Sequence, residues 1–200
     1  MKLVASLIVV AIAAPAIANP PAPDKAERKA PPAPAASAGA ARSPTPPPVP
    51  PAHAGPPPEV AALGKDLAGA WTCKGVALRG NGSSQPLQAS VTIKLDLDGA
   101  WLVTSFVEKG GNLKFITYRS YDSTAKEWNR VQLVNTAGRV LSTSPGEQGG
   151  KWTWTGTATS PDGTLPVREY EQRDATQLRL WGEAQIAGTW QKLYDVTCKK

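Results

Sequence analysis

The feature that most restricts how this chain can fold is a two-residue alternation, broken at short intervals by turn residues, over most of its second half. In "QASVTIKLDL", Val91, Ile93, Leu95 and Leu97 fall on one face and Ser90, Thr92, Lys94 and Asp96 on the other. That is the period of a half-buried strand. Asp98-Gly99 then gives the signal for a two-residue hairpin, and "AWLVTSFVEK" is its partner strand. Turn residues separate further segments of the same kind: "NLKFITYRSY", "WNRVQLVN", "RVLSTS", "KWTWTGTATS", "TLPVREYEQ", "TQLRLWGEA" and "GTWQKLYDVTC". With "WTCKGVALR" in front, the pattern predicts about ten strands, and no connection is long enough for a helical crossover. The expected class is all-β and antiparallel, a barrel or a sandwich. Before the first strand, Val60, Leu63 and Leu67 recur at helical spacing and predict a brief helix ending near Gly69.

A repeated motif favours the barrel. "LAGAWTCKG" near residue 70 returns as "IAGTWQKLYDVTCKK" at the end of the chain, so that Gly69, Trp71 and Cys73 are echoed by Gly188, Trp190 and Cys198. On strands, Trp71 and Cys73 share a face, as do Trp190, Tyr194 and Cys198. An up-and-down barrel loses its edges only when the first strand pairs with the last. A Cys73–Cys198 bond would fix that pairing covalently; the alternative is two buried free thiols. The second Gly-x-Trp reads as a structural echo of the first.

Gly-x-Trp at the start of the first strand, after a short helix, resembles the signature of the calycin superfamily, the lipocalins and their relatives. Residues 60–200 look like a bacterial lipocalin-like family of unassigned function, through "LAGAW", "DGAWLV", "YRSYDSTAKEW" and "SPDGTLPVREYEQRDATQLRL". The resemblance implies a barrel of about ten strands, with the Trp71 indole as a plug at one end beside Gly69. The long helix and following strand that lipocalins carry after the barrel have no counterpart, so the kinship is to the superfamily.

The N-terminal part has a different character. Lys2, an apolar run and Ala16-Ile17-Ala18 in residues 1–18 have the form of a secretory signal peptide. The run is short for a membrane span and Pro15 interrupts it, so no transmembrane segment is expected after cleavage. Residues 19–58 are dominated by Pro and Ala, with Val49 as the only large apolar side chain. Such a segment cannot offset its ordering entropy and is expected to be a disordered tether. It reads as a solubilising tether or, alternatively, as a proline-rich ligand for another protein, such as an envelope partner, or a spacer across the envelope. Residues 59–200 form the one expected domain. They carry 17 of the 22 Lys/Arg and 14 of the 16 Asp/Glu, without a block of either sign, which argues against a nucleic-acid partner. The expected location is the periplasm or the exterior, and the expected state is a monomer.

The only histidine, His53, falls in the tether. Ser-His-Asp and Cys-His machinery and histidine zinc sites are thus beyond the domain's reach. The histidine-ligated haem of related barrels cannot be carried over, and a haem on Tyr118 or Tyr121 is set aside, so no cofactor or metal is expected. No catalytic residue is assigned and the chain is read as a non-enzyme. Glu169 and Glu171 share a strand face beside Arg168 and Arg173, and read as a solvated charge ladder. The aromatics allow two readings, a side-chain-filled barrel or a cavity with aromatic walls and orienting arginines. Candidate ligand-binding residues are Arg119, Tyr121, Trp128, Arg130, Trp152 and Trp154. The leading functional expectation is a binding module for a small apolar or amphipathic ligand. The alternative is a structural or interaction protein of the cell envelope with a plugged barrel.

Overall fold

The computed structural model describes residues 55–80, 82–174 and 176–200. The signal-like segment and tether residues 19–54, His53 included, lie outside the described residues. The helix α1 spans Pro58–Leu67. Eleven strands follow: β1 (Gly69–Leu78), β2 (Ser84–Asp96), β3 (Trp101–Glu108), β4 (Lys114–Asp122), β5 (Glu127–Val134), β6 (Arg139–Ser144), β7 (Glu147–Gln148), β8 (Lys151–Ser160), β9 (Gly163–Arg173), β10 (Gln177–Ile186) and β11 (Thr189–Lys199). Ten of them form one closed antiparallel sheet, and the two-residue β7 is a clip on β8. Apart from that clip, neighbours in sequence are neighbours in space. The ring closes twice, by β1 on β11 and by β6 on β8.

The first closure is the one implied by the repeated motif. Cys73 and Cys198 are direct register partners across β1 and β11, and they are disulfide-bonded with both side chains in the core. Gly188 serves a different need from Gly69. With Ala187 it makes the two-residue turn between β10 and β11, both at positive φ, the geometry that suits the twist of a tight hairpin. Gly69 sits at φ +129° where the chain turns from α1 into β1, a region that side chains with a Cβ rarely adopt.

Two expectations about β2 need correction. Asp96 pairs with Trp101, so the turn to β3 holds four residues rather than the two of a tight hairpin; Leu97, Asp98 and Gly99 all have positive φ. The buried stripe also stops short: Val91 and Ile93 are in the core, whereas Leu95 is exposed and Leu97 is 63% exposed. The alternation runs past the barrel's end, where Leu95 lies against Gly64 of α1 instead.

The antiparallel register sorts the interior into two ends. At the end capped by α1, Val60, Leu63 and Leu67 meet Trp71, Leu102, Trp128, Trp152 and the disulfide. Trp71 is buried there, and its Nε1 donates to the Leu67 carbonyl at 2.8 Å. The Lys200 ammonium lies 5.0 Å from the ring centroid. The indole is therefore fastened to the C-terminal turn of α1. Towards the opposite end a second apolar cluster gathers Val167, Ala184 and Ile186, with Val140, Ala158, Leu165 and Leu193 against it. Between them lies the polar part of the interior. No helix among the described residues is long and apolar enough to cross a membrane.

Candidate functional site

Register settles which faces of the middle strands turn inward. On β4 these are Phe115, Thr117, Arg119 and Tyr121, and on β5 Trp128, Arg130, Gln132 and Val134. Arg119 and Arg130 are direct cross-strand partners. Two like charges placed opposite each other destabilise a sheet unless they are compensated.

The compensation comes from across the barrel. Arg119 Nη1 donates to Glu171 Oε2 at 2.8 Å, and Arg130 Nη2 donates to Glu169 Oε2. Arg130 Nε also donates to Ser142 Oγ at 2.9 Å, and the Tyr194 hydroxyl donates to Glu169 Oε1 at 2.6 Å. Glu169 and Glu171 are only 9% and 3% exposed. The expected solvated ladder with Arg168 and Arg173 is therefore overturned. Arg168 faces outward and pairs with Glu183, whereas Arg173 shares the glutamates' face but lies beyond them beside α1, pairing with Asp66 and Glu147. Two positive and two negative side chains thus make a closed, charge-balanced quartet inside the sheet. Burial of a lone charge would cost several kcal/mol, which is why the four occur together.

Small residues make room for this arrangement. Ser142 and Ser144 on β6 and Gly156 on β8 let the indole of Trp154, reaching in from β8, lie beneath both guanidinium groups. Its ring centroid is 4.6 Å from the Arg130 carbon and 5.5 Å from that of Arg119, within range of a cation–π attraction. Gly182 on β10 stands opposite Tyr194. A Cβ there would come within 2.5 Å of the tyrosine ring, so its absence allows the ring to cross towards Glu169. Burial raises the Tyr194 phenol from its usual 10.0 to about 12, and the phenol therefore stays a donor at neutral pH. Burial, helped by the neighbouring Arg119 charge, lowers Arg130 to about 10, which still leaves it charged at neutral pH.

Beside the quartet is a cavity of about 110 Å³. Its polar wall includes Thr104, Arg119, Arg130, Glu169, Glu171 and Tyr194. Its apolar wall includes Leu87, Val91, Phe106, Leu113 and Phe115, with the two phenylalanine rings stacked 4.3 Å apart. Three polar atoms of its lining residues are buried with no hydrogen-bond partner in the protein: Thr104 Oγ1, Arg119 Nε and Glu171 Oε1. Glu171 Oε1 lies 3.9 Å from Arg130 Nη1, too far for a hydrogen bond. Trp154 Nε1, behind the arginines, is likewise without a partner.

The six candidate ligand-binding residues divide into groups. Arg119 and Arg130 form part of the cavity wall, and Trp154 backs them. Tyr121, Trp128 and Trp152 instead pack on one another near the capped end, with ring centroids 5.4 and 5.1 Å apart, away from the cavity lining. Glu169, Glu171, Tyr194 and Thr104 are the wall residues that sequence reasoning left out. A signal for the glutamates existed. Leu165, Val167, Glu169 and Glu171 lie on one face, so the apolar start of the stripe predicts that its acidic end also turns inward. Among the described residues, no group of three or more His, Cys, Asp or Glu is placed to hold a metal ion.

The chain matches no protein-family model and no curated protein by sequence. Its likeness to the calycins therefore rests on architecture, a closed ten-stranded antiparallel barrel.

Proposed function

We propose that this barrel is an exported, non-catalytic binding module that holds a small, partly apolar ligand at the charged quartet. The observation that carries the reading is the two-sided cavity, with the charged quartet on one wall and the stacked Phe106 and Phe115 on the other. The fixed ion pairs favour holding over proton transfer, because both carboxylates are engaged by arginines. Export is supported by the signal-like residues 1–18 and by a disulfide, which persists in oxidising compartments. The Pro-rich residues 19–58 would then act as a tether in the periplasm or outside the cell.

Two observations favour a second reading, an interaction protein of the envelope. The cavity, at about 110 Å³, is well below the roughly 300 Å³ of pockets for drug-sized ligands. In addition, Val107, Ile116, Leu133 and Leu141 stand exposed on the outer face of β3–β6, and contiguous apolar patches often mark docking surfaces. Native mass spectrometry of protein purified from its own cells discriminates between the two. The binding reading predicts a one-to-one complex with a low-mass compound that dissociates on activation. A ligand-free monomer would refute it, and a ligand-free complex with another protein would favour the second reading.

A further inference from the structure

Outside the cavity, the outer face of the barrel carries an asymmetry that ligand holding does not use. Ile116 and Leu133 are direct cross-strand partners. Val107 on β3 and Leu141 on β6 lie diagonal to them, and all four are exposed. Half-buried Tyr118 and Val131 extend the same face towards Leu141, so the apolar patch runs unbroken over four strands. Its charged neighbours are all basic. Lys114 stands opposite Val107, Arg139 stands opposite Leu133, and Lys109 directly follows β3. All three are exposed, and among the described residues none has an ion-pair partner. The flanking strands add only Ser90, Thr92, Thr157 and Thr159 at this level. The acidic residues on the outer face of β4 and β5, Asp122 and Glu127, sit at the α1 end. The sector far from α1 is thus aliphatic and positive, in a domain whose charges are otherwise mixed.

We propose that this sector of β3–β6 docks on the surface of an anionic lipid bilayer, with the aliphatic tips among the headgroups and the three cations against lipid phosphates. Docking of this kind is independent of what the cavity holds. The strands of the sector are paired on both sides, so none offers a free edge for a partner's strand to extend. The outer face of a closed barrel is convex and offers no groove to a partner's helix. Its exposed apolar residues are all aliphatic, whereas protein interfaces depend most on aromatic and arginine anchors seated in pockets. A fluid headgroup region needs neither edge nor groove. It takes apolar side chains to a shallow depth and attracts lysine and arginine that lie within a Debye length. The lack of acidic side chains in the sector removes the repulsion that anionic lipid would otherwise meet.

The test is co-sedimentation of the full, oxidised chain with vesicles of phosphatidylcholine alone and of phosphatidylcholine mixed with phosphatidylglycerol. Residues 1–18 are common to every variant, so differences between variants report the barrel. The wild type should bind the anionic vesicles more tightly than the neutral ones, and added salt should weaken that binding. Lys114→Gln and Arg139→Gln should each weaken it about fivefold. Ile116→Ser combined with Leu133→Ser should weaken it at least about tenfold, through lost apolar contact. Val76→Ser, at a similarly exposed aliphatic on β1 outside the sector, should leave binding unchanged. All these side chains are on the surface, so every variant should keep the wild-type Tm. A wild type that does not bind anionic vesicles would overturn the proposal. So would a loss in Ile116→Ser/Leu133→Ser no greater than that in Val76→Ser. If that pair instead abolishes an association with another protein while vesicles go unbound, the sector belongs to a protein partner and the lipid assignment fails.

Discussion

The two halves of this barrel's interior are held together by different physics. Around α1 the interior is apolar. The indoles of Trp71, Trp128 and Trp152 pack with leucines and a buried disulfide, and Trp71 is hydrogen-bonded to the helix above it. Further in, the same sheet encloses two arginine–glutamate pairs, a phenol and a cavity. Apolar packing is additive and tolerant, whereas a buried ionic network depends on every member. Under the proposed function the difference is a division of labour: the capped end stabilises the barrel, and the polar half gives up stability to hold a ligand.

Single substitutions should separate the halves. In the polar half, Arg130→Met strands Glu169 and should cost about 3–5 kcal/mol in urea unfolding. Adding Glu169→Leu should recover much of that loss, since a hydrophobic pair can replace an ion pair of similar volume. At the capped end, Trp71→Ala should cost a comparable 3–5 kcal/mol by opening a void, and no neighbouring substitution of charge should repair it. If the Arg130→Met/Glu169→Leu pair stays as unstable as Arg130→Met alone, the quartet is not the closed unit described here.

Next in size is the disulfide. Cys73 and Cys198 are 125 residues apart in sequence, so the bond removes a large loop entropy from the unfolded chain. Replacing both with Ala should lower stability by about 2–5 kcal/mol, seen as a drop in Tm that reductant reproduces in the wild type. An unchanged Tm would mean that β1 and β11 need no covalent clamp.

The smallest effect is that of Tyr194→Phe, which removes one buried hydrogen bond and should cost about 1–1.5 kcal/mol at neutral pH. Its pH dependence is more telling. The phenol is raised from 10.0 to about 12 in the folded state, so between those values the unfolded chain has lost a proton that the folded chain keeps. Stability from this group is complete below pH 10 and is lost as pH rises through 12. Arg130, lowered to about 10, acts in the opposite sense over the same range. The comparison of wild type with Tyr194→Phe isolates the phenol: the wild-type advantage should shrink from pH 10 to 12, and a constant difference would contradict the burial of Tyr194.

Much of this fold was legible because its determinants are local. Period two and turn residues gave the strand count, and two cysteines placed in the first and last strands gave the closure. The tight turn at Ala187-Gly188 explains why the second Gly-x-Trp is only an echo. The Leu95 and Leu97 stripe misled because alternation does not mark where a strand leaves the barrel. The quartet was half legible. In "VREYEQR" both faces carry charge, and only the apolar start of the stripe at Leu165 and Val167 points to Glu169 and Glu171, rather than Arg168 and Tyr170, as the inward pair. The choice is made across the barrel by Arg119 and Arg130, contacts 52 and 39 residues away in sequence, which no local pattern encodes.

The central claim of the proposed function, that the end beside α1 is solid while the polar half holds an accessible chamber, is tested most directly by a nitrogen-detected NMR titration of the wild-type barrel with xenon, which enters apolar protein cavities. The Trp and Arg Nε–H signals report both halves at once. The account predicts that Arg119 Nε–H shifts on saturation while the indole signals of Trp71, Trp128 and Trp152 stay in place. Movement of the indoles at the capped end, with Arg119 unmoved, would contradict it.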